Sequence, residues 1–195
     1  MNSILRKSIL GIAGLTVAGG LAAGPLNHDT STTPVRDAAV TTQAAGKPDT
    51  AALIPHGVQG TQSHIDLNDE QTANVKAIIA ATKKAGMDER AAVVAIATAL
   101  QESKLENLGH LGDRNDHDSQ GLFQQRPSSG WGTVEQITDP EYSTTAFLKG
   151  LKQVDGWRDM PLTKAAQTVQ VSAYPDHYAQ WEQQAADLVA QHWNS

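Results

Sequence analysis

Glu102 stands at the end of a long, almost uncharged apolar run, Ala91 to Leu100, and is followed directly by Ser103. Further along, Ser119 to Gln124 forms a short polar segment around Gly121. A carboxylate at the end of a buried helix is hard to keep ionised. Apolar surroundings disfavour its charged form, and the negative end of the helix dipole disfavours it again. That tendency suits a general acid working near neutral pH. The chemistry on offer is therefore proton delivery to the leaving oxygen of a glycosidic bond. The ordinary alternative for Glu102 is a helix-end carboxylate that turns to solvent.

The elements that must position these residues read as helices. Asn68 and Gln71 have capping-box spacing, and Val75, Ile78, Ile79 and Thr82 follow at helical intervals. Gly86 is a natural stop, and Asp88 can cap the next helix, predicted to run to about Leu105. That helix is apolar on every side, so it is expected to be central and buried. Ala91, Ala95, Thr98 and Glu102 share one face, whose small side chains suggest room above it. Thr133 and Gln136 fit a second capping box. Asp139 precedes an N1 proline, Pro140, and Tyr142, Ala146, Phe147 and Leu151 continue that helix. A further helix starts at Pro161 and carries Ala165, Ala166, Val169 and Ala173. Pro175 and Asp176 interrupt the chain before a last amphipathic helix marked by Tyr178, Trp181, Ala185, Leu188 and His192. No strand alternation and no internal repeat stand out. The expected fold class is all-α.

Composition bounds the function. The chain has 195 residues, 39% of them hydrophobic, and the apolar residues concentrate after about residue 67. The net charge is −6, with no basic cluster in the body of the chain, which argues against nucleic acid as a partner. With no cysteine, disulfides and a thiol nucleophile are excluded. Arg6 and Lys7 precede an apolar stretch from Ser8 to Ala23, the shape of a secretory signal peptide over residues 1–24. An uncleaved membrane anchor is the alternative, although the stretch is short against the ~20 apolar residues of a spanning helix. Removing residues 1–24 takes away Arg6 and Lys7 and no acid, moving the charge from −6 to −8. Either way the expected location is extracellular or at the cell wall. Residues 25–66, rich in Thr, Ala, Pro, Gly and Gln, read as a flexible linker. Residues 67–195 read as the folded domain.

In order and spacing, four segments resemble the lysozyme-like superfamily, and within it the soluble lytic transglycosylases and goose-type lysozymes. Glu102 and Ser103 resemble the catalytic "ES" of that family. Ser119 to Gln124 resembles its "GA-x-GLMQ", Asp139 and Pro140 its "DP", and Ser172 to Tyr174 its "AYN". The likeness covers roughly residues 70–182. It departs at Lys104 to Asn107, where the family has Pro and Ser, at Phe123 in place of Met, and at Pro175 in place of Asn.

The resemblance implies cleavage of peptidoglycan glycan strands between N-acetylmuramic acid and N-acetylglucosamine, with Glu102 as acid and then base. It implies that Ser103, Ser119, Gln124 and Tyr174 line the substrate cleft, and that Tyr174 hydrogen-bonds the Glu102 carboxyl. Gly121 would let the backbone pass close to the sugar. An inverting hydrolase needs a second carboxylate ~6.5–9.5 Å away, for which Asp113, Asp116 and Asp118 are candidates. A goose-type muramidase and a non-cleaving glycan-binding module are the alternatives. Trp131 and Trp157 are candidates for stacking on sugars, or for ordinary core packing.

No cofactor and no metal are expected. Asp116, Asp118 and Gly121 partly mimic a calcium loop, but its twelfth position is Pro127 rather than Glu. His110 and His117 lack the i, i+4 spacing of a helical zinc site. The loop from 106 to 118 reads as a solvated rim. No nucleophile elbow, Walker loop or dinucleotide fingerprint is present.

Overall fold

A computed structural model describes residues 47–195 apart from Asp116 and Ala173. The signal-like segment 1–24 and the linker residues 25–46 lie outside the described residues. Within them the architecture is all-α, with seven α-helices and short 3-10 turns. One isolated bridge, Gln120 to Gln125, is the sole β pairing among the described residues. No described helix is long and apolar enough to cross a membrane.

The helices are α1 (Thr50–Leu53), α2 (Asp69–Lys84), α3 (Glu89–Ser103), α4 (Val134–Ile137), α5 (Pro140–Leu151), α6 (Leu162–Gln170) and α7 (Glu182–His192). Local chemistry fixes most starts. Asn68 accepts from Gln71 N while the Gln71 side chain accepts from Asn68 N, the reciprocal pair of a capping box. Asp88 caps α3 through Ala91 N, Thr133 and Gln136 box the start of α4, and Asp139 caps α5 ahead of Pro140.

α3 is the centre. Every residue from Arg90 to Leu100 is buried, and α1, α2, α5, α6 and α7 all pack against it. The small face of Ala91, Ala95 and Thr98 is fully buried, so it is filled by neighbouring helices rather than opening into a cleft. Small side chains here let helices approach closely and leave no space above. The helix also ends earlier than Leu105. Lys104 caps it at φ 57°, Leu105 follows at φ 65°, and Leu105 N bonds back to Ala99 O at 3.2 Å. Lys104 N also reaches Ala99 O, a six-to-one closure of the Schellman kind built without glycine. Burial of the Leu105 side chain supplies the hydrophobic contact that accompanies such a turn.

Residues 47–66 are not linker. Leu53 and Ile54 enter the core. Ser63 N donates to Gln180 O at 2.7 Å, and Ile65 exchanges both backbone groups with the Gln184 amide at 3.1 and 2.6 Å. Beyond the single turn of α1 the segment has no helical period, because residues 62–65 run along the 3-10 turn His177–Trp181 and α7, which satisfy its backbone. The last helix is also shorter than expected, since Tyr178 and Trp181 belong to that 3-10 turn. On α5 the buried face is Ser143, Thr144, Phe147, Leu148 and Leu151, and Tyr142 looks outward.

The N-terminal segment is locked by one buried ion pair. Arg90 Nη1 donates to Glu182 Oε1 at 2.7 Å and to Leu53 O at 2.8 Å, joining α3, α7 and α1. Both side chains are almost wholly buried, at 8% and 3% exposure. Glu182→Ala would leave the guanidinium charged and unpaired in the core. It should lower the unfolding free energy by ~3–5 kcal/mol, read from the urea midpoint of residues 47–195.

Candidate functional site

Glu102 leaves the core on the last turn of α3 and is half-exposed, while Ser103 beside it is buried. Its carboxylate is held from two elements. Tyr178 Oη donates to Glu102 Oε1 at 2.7 Å, and Gln170 Nε2 reaches the same oxygen at 3.3 Å. Gln170 Nε2 also donates to Phe123 O at 2.8 Å, so one amide joins the acid to the segment 119–124.

Each donor is positioned by its own element. Gln170 is the last residue of α6, and Val171 turns the chain away at φ 54°. The Gln167 amide holds that turn, donating to Ser172 O at 2.8 Å and accepting from Ser172 N at 3.2 Å. Tyr178 sits in the 3-10 turn His177–Trp181, which Gln101 pins to α3. Gln101 Oε1 accepts from Trp181 Nε1 at 2.9 Å and from Gln180 Nε2 at 3.0 Å. Burial pushes the pKa of the Tyr178 hydroxyl well above the usual tyrosine range. The Glu102 charge adds to this, and a hydrogen bond from Ser172 opposes it. Tyr178 therefore stays a donor to the carboxylate at any physiological pH.

The far side of the acid is closed by the turn after α3. Two amides from α2 cap its carbonyls, Gln71 Nε2 on Lys104 O at 2.8 Å and Asn74 Nδ2 on Leu105 O at 2.9 Å. Lys104 Nζ returns to Leu100 O at 3.1 Å and lies 4.6 Å from the Trp181 ring centre. Partial burial pulls the Lys104 ammonium below the usual lysine range, and the Glu102 charge works the other way.

The structure redistributes the residues singled out in the sequence. Tyr174 does not hold Glu102. It is 63% exposed and stacks on His177 with ring centres 4.9 Å apart. The hydroxyl that reaches the acid comes from Tyr178, because the chain turns at Pro175 and Asp176 and directs Tyr174 outward. The spacing to Pro175 offered no cue, but full burial of a tyrosine demands a partner for its hydroxyl. Gln170 was likewise missed, being one polar residue at a helix end.

Gly121 has a reason within the fold itself. It lies at φ +78°, and a Cβ there would overlap the Ile137 carbonyl at the end of α4. Its amide donates to Leu108 O at 2.7 Å. Ser103 is also internal, with its hydroxyl between Leu122 O at 2.9 Å and Ala99 O at 3.2 Å. Ser119 is buried and offers its hydroxyl to Gln124 Oε1 at 3.3 Å. Gln124 remains half-exposed at φ 45°, its amide folded back on Gly121 O at 3.0 Å. Together these residues form a tight turn closed by the Gln120–Gln125 bridge. They bring Phe123 O to Gln170 and stack the Phe123 ring on Phe147, 5.1 Å away. Trp157 is core, and Trp131 is half-exposed.

Of the rim carboxylates, Asp118 is committed to structure. It accepts from Arg126 Nε at 3.0 Å, Ser128 N at 2.8 Å and Ser128 Oγ at 2.8 Å. These bonds, the Ser128 backbone first, hold its pKa well below the usual carboxylate range. Asp113 is exposed, and Asp116 lies outside the described residues. Among the described residues no three His, Asp or Glu side chains gather as a metal set.

No family model matches the chain, and no curated protein matches it in sequence.

Two measurements check this geometry. Gly121→Ala should destabilise the fold by more than the ~1–2 kcal/mol that the left-handed region alone costs, because the Ile137 backbone must also move. Asp118 has a depressed pKa, so its contribution is fully present above the ordinary carboxylate range and is lost as pH falls through the lowered value. The difference in urea midpoint between wild type and Asp118→Asn should therefore stay constant from pH 7 to about pH 5 and shrink only in strong acid.

Proposed function

We propose that this protein cleaves the glycan strands of peptidoglycan as a lytic transglycosylase of the lysozyme-like kind, with Glu102 as its proton donor and acceptor. The observation that carries this reading is the half-exposed Glu102 carboxylate at the end of a buried helix, gripped on one oxygen by Tyr178 and Gln170. A group that must deliver a proton along a fixed line needs such fixing. The signal-like segment around Arg6 and Lys7 agrees with work outside the cytoplasm.

In this mechanism protonated Glu102 gives its proton to the oxygen between the two sugars, and the C1–O bond of the muramoyl residue breaks. The acetamido oxygen of the substrate stabilises the positive charge at C1. Glu102, now a carboxylate, takes the proton of the C6 hydroxyl. The C6 oxygen closes on C1, and a 1,6-anhydro sugar leaves with Glu102 protonated again. No water is consumed. The commitment of Asp118 to Arg126 and Ser128 withdraws one of the three rim carboxylates that inverting hydrolysis could use to activate water.

Digestion of purified peptidoglycan, with products read by mass, tests the reading. The wild type should release anhydro-muropeptides, each one water lighter than a hydrolysis product. Glu102→Gln should lower the rate by ~10²–10⁴-fold. Tyr178→Phe should lower it about ten- to a hundredfold, the scale of one hydrogen bond to a charged group. Tyr174→Phe should leave it unchanged. Heavier, reducing-end products would establish a muramidase. Binding to the wall without release of fragments by any form would establish a glycan-binding module.

A further inference from the structure

The outer face of α5 lines a cavity of about 340 Å³ that takes no part in holding Glu102. Its walls are Gly130, Trp131, Tyr142, Thr145, Ala146 and Lys149. Tyr142, Thr145, Ala146 and Lys149 fall at i, i+3, i+4 and i+7, which is one stripe of a helix. The opposite stripe of α5 is the buried one, where Phe147 stacks on Phe123 and Ser143 O accepts from the Gln125 amide at 3.1 Å. One helix therefore carries the cavity on its outer side and the segment that touches the Glu102 site on its inner side. The two are separated by about one helix diameter, ~10–12 Å.

The chemistry of the walls is specific. Trp131 and Tyr142 supply two aromatic surfaces, and Gly130 and Ala146 keep the space between them open. Gly132 brings the Tyr142 ring close, since a Cβ there would sit 3.0 Å from both Tyr142 Cε1 and its hydroxyl oxygen. Among the described residues no protein atom accepts a hydrogen bond from Trp131 Nε1, Tyr142 Oη or Lys149 Nζ. Lys149 also has no carboxylate partner there, whereas Lys84 pairs with Glu141 about two turns nearer the start of α5. Three donors without partners around one cavity, one of them an ammonium and the other two carried on aromatic rings, suit a carboxylate carried on an apolar body.

We propose that this cavity binds a free carboxylate of the peptide branch on the muramoyl residue, and so makes the protein prefer peptide-bearing strands over naked glycan. The proposal rests on the reading of Glu102 as a peptidoglycan-cleaving acid, since that supplies a substrate with such a branch. Lys149 would pair with the carboxylate, Tyr142 and Trp131 would cover its aliphatic part, and Thr145 would border it. The same chemistry is present in the lactyl carboxylate of a strand stripped of peptide, and the experiment separates the two sources.

The test uses Glu102→Gln protein, so that binding is measured without turnover. Three soluble probes are titrated by calorimetry: muropeptide-bearing glycan fragments, the same fragments after amidase removal of the peptide, and chitooligosaccharides, which carry no carboxylate. Lys149→Gln is an exposed substitution and should leave folding intact, as circular dichroism would verify. The expected result is a loss of about tenfold in affinity for the peptide-bearing fragments only, the scale of one charge-assisted hydrogen bond. The loss should shrink as salt rises. Tyr142→Ala should weaken the same probe, and Tyr142→Phe should do so less. Equal loss on amidase-treated fragments would overturn the peptide assignment in favour of the lactyl group. Unchanged affinity for all three probes would overturn the cavity as a binding site while leaving Glu102 as the acid. No binding of any probe by either protein would remove the glycan reading itself, and this proposal with it.

Discussion

A helix buried on every side can offer a functional group only where it leaves the core, and α3 leaves it abruptly. From Ala91 to Leu100 no residue of α3 meets solvent. Gln101 and Glu102 are half-exposed, and then the chain reverses through two successive left-handed residues, Lys104 and Leu105. Each costs conformational energy that a glycine would avoid. The turn persists because Leu105 is buried and because Gln71 and Asn74 of α2 satisfy the two carbonyls it would otherwise strand. A gentler exit would carry the helix on toward Leu105, as its apolar pattern suggests, and Glu102 would face a different neighbour.

The irregular backbone around that helix is fastened largely by carboxamides. Gln62 and Gln184 bind the extended N-terminal segment, Gln71 and Asn74 the turn after α3, Gln101 the 3-10 turn before α7, and Gln167 the turn after α6. A chain without cysteine has no covalent staple for irregular backbone. An amide donates and accepts at once, so it can satisfy a carbonyl and an N–H in one place, and it does so without burying a charge. Arg90 and Glu182 are the exception. They occupy a junction where α1, α3 and α7 meet deep in the core, and there the charges are matched.

This division explains what the sequence could and could not disclose. The capping boxes at Asn68 and Thr133, the Asp139–Pro140 start and the uniform apolarity of α3 are local signals, and each element begins where its signal stands. The glutamine fasteners leave no period. Residues 47–66 therefore read as linker although Leu53 and Ile54 are core, and Gln170 passed as an ordinary polar helix end. Tyr174 and Tyr178 differ only by a turn through Pro175, and which hydroxyl points inward is decided by Gln101 and Trp181, residues far apart in sequence. Gly121 was legible as a glycine that must be one. Its reason, the Ile137 carbonyl, lies on another element.

The Gln170 amide gives the site its mechanical character. Its nitrogen has two protons, one directed to Phe123 O and the other to Glu102 Oε1. The shorter of these bonds is to the backbone carbonyl, so the side chain is seated primarily by the 119–124 turn and reaches the carboxylate from there. The underside of that turn is fixed through Gly121 to α4 and through Phe123 to α5, and Ser103 ties its Leu122 carbonyl to α3 beside Glu102. Tyr178 acts from the opposite anchorage, the 3-10 turn tied to Gln101 on α3 itself. The carboxylate is thus held at one oxygen by a donor that travels with its own helix and by a donor that travels with the rim.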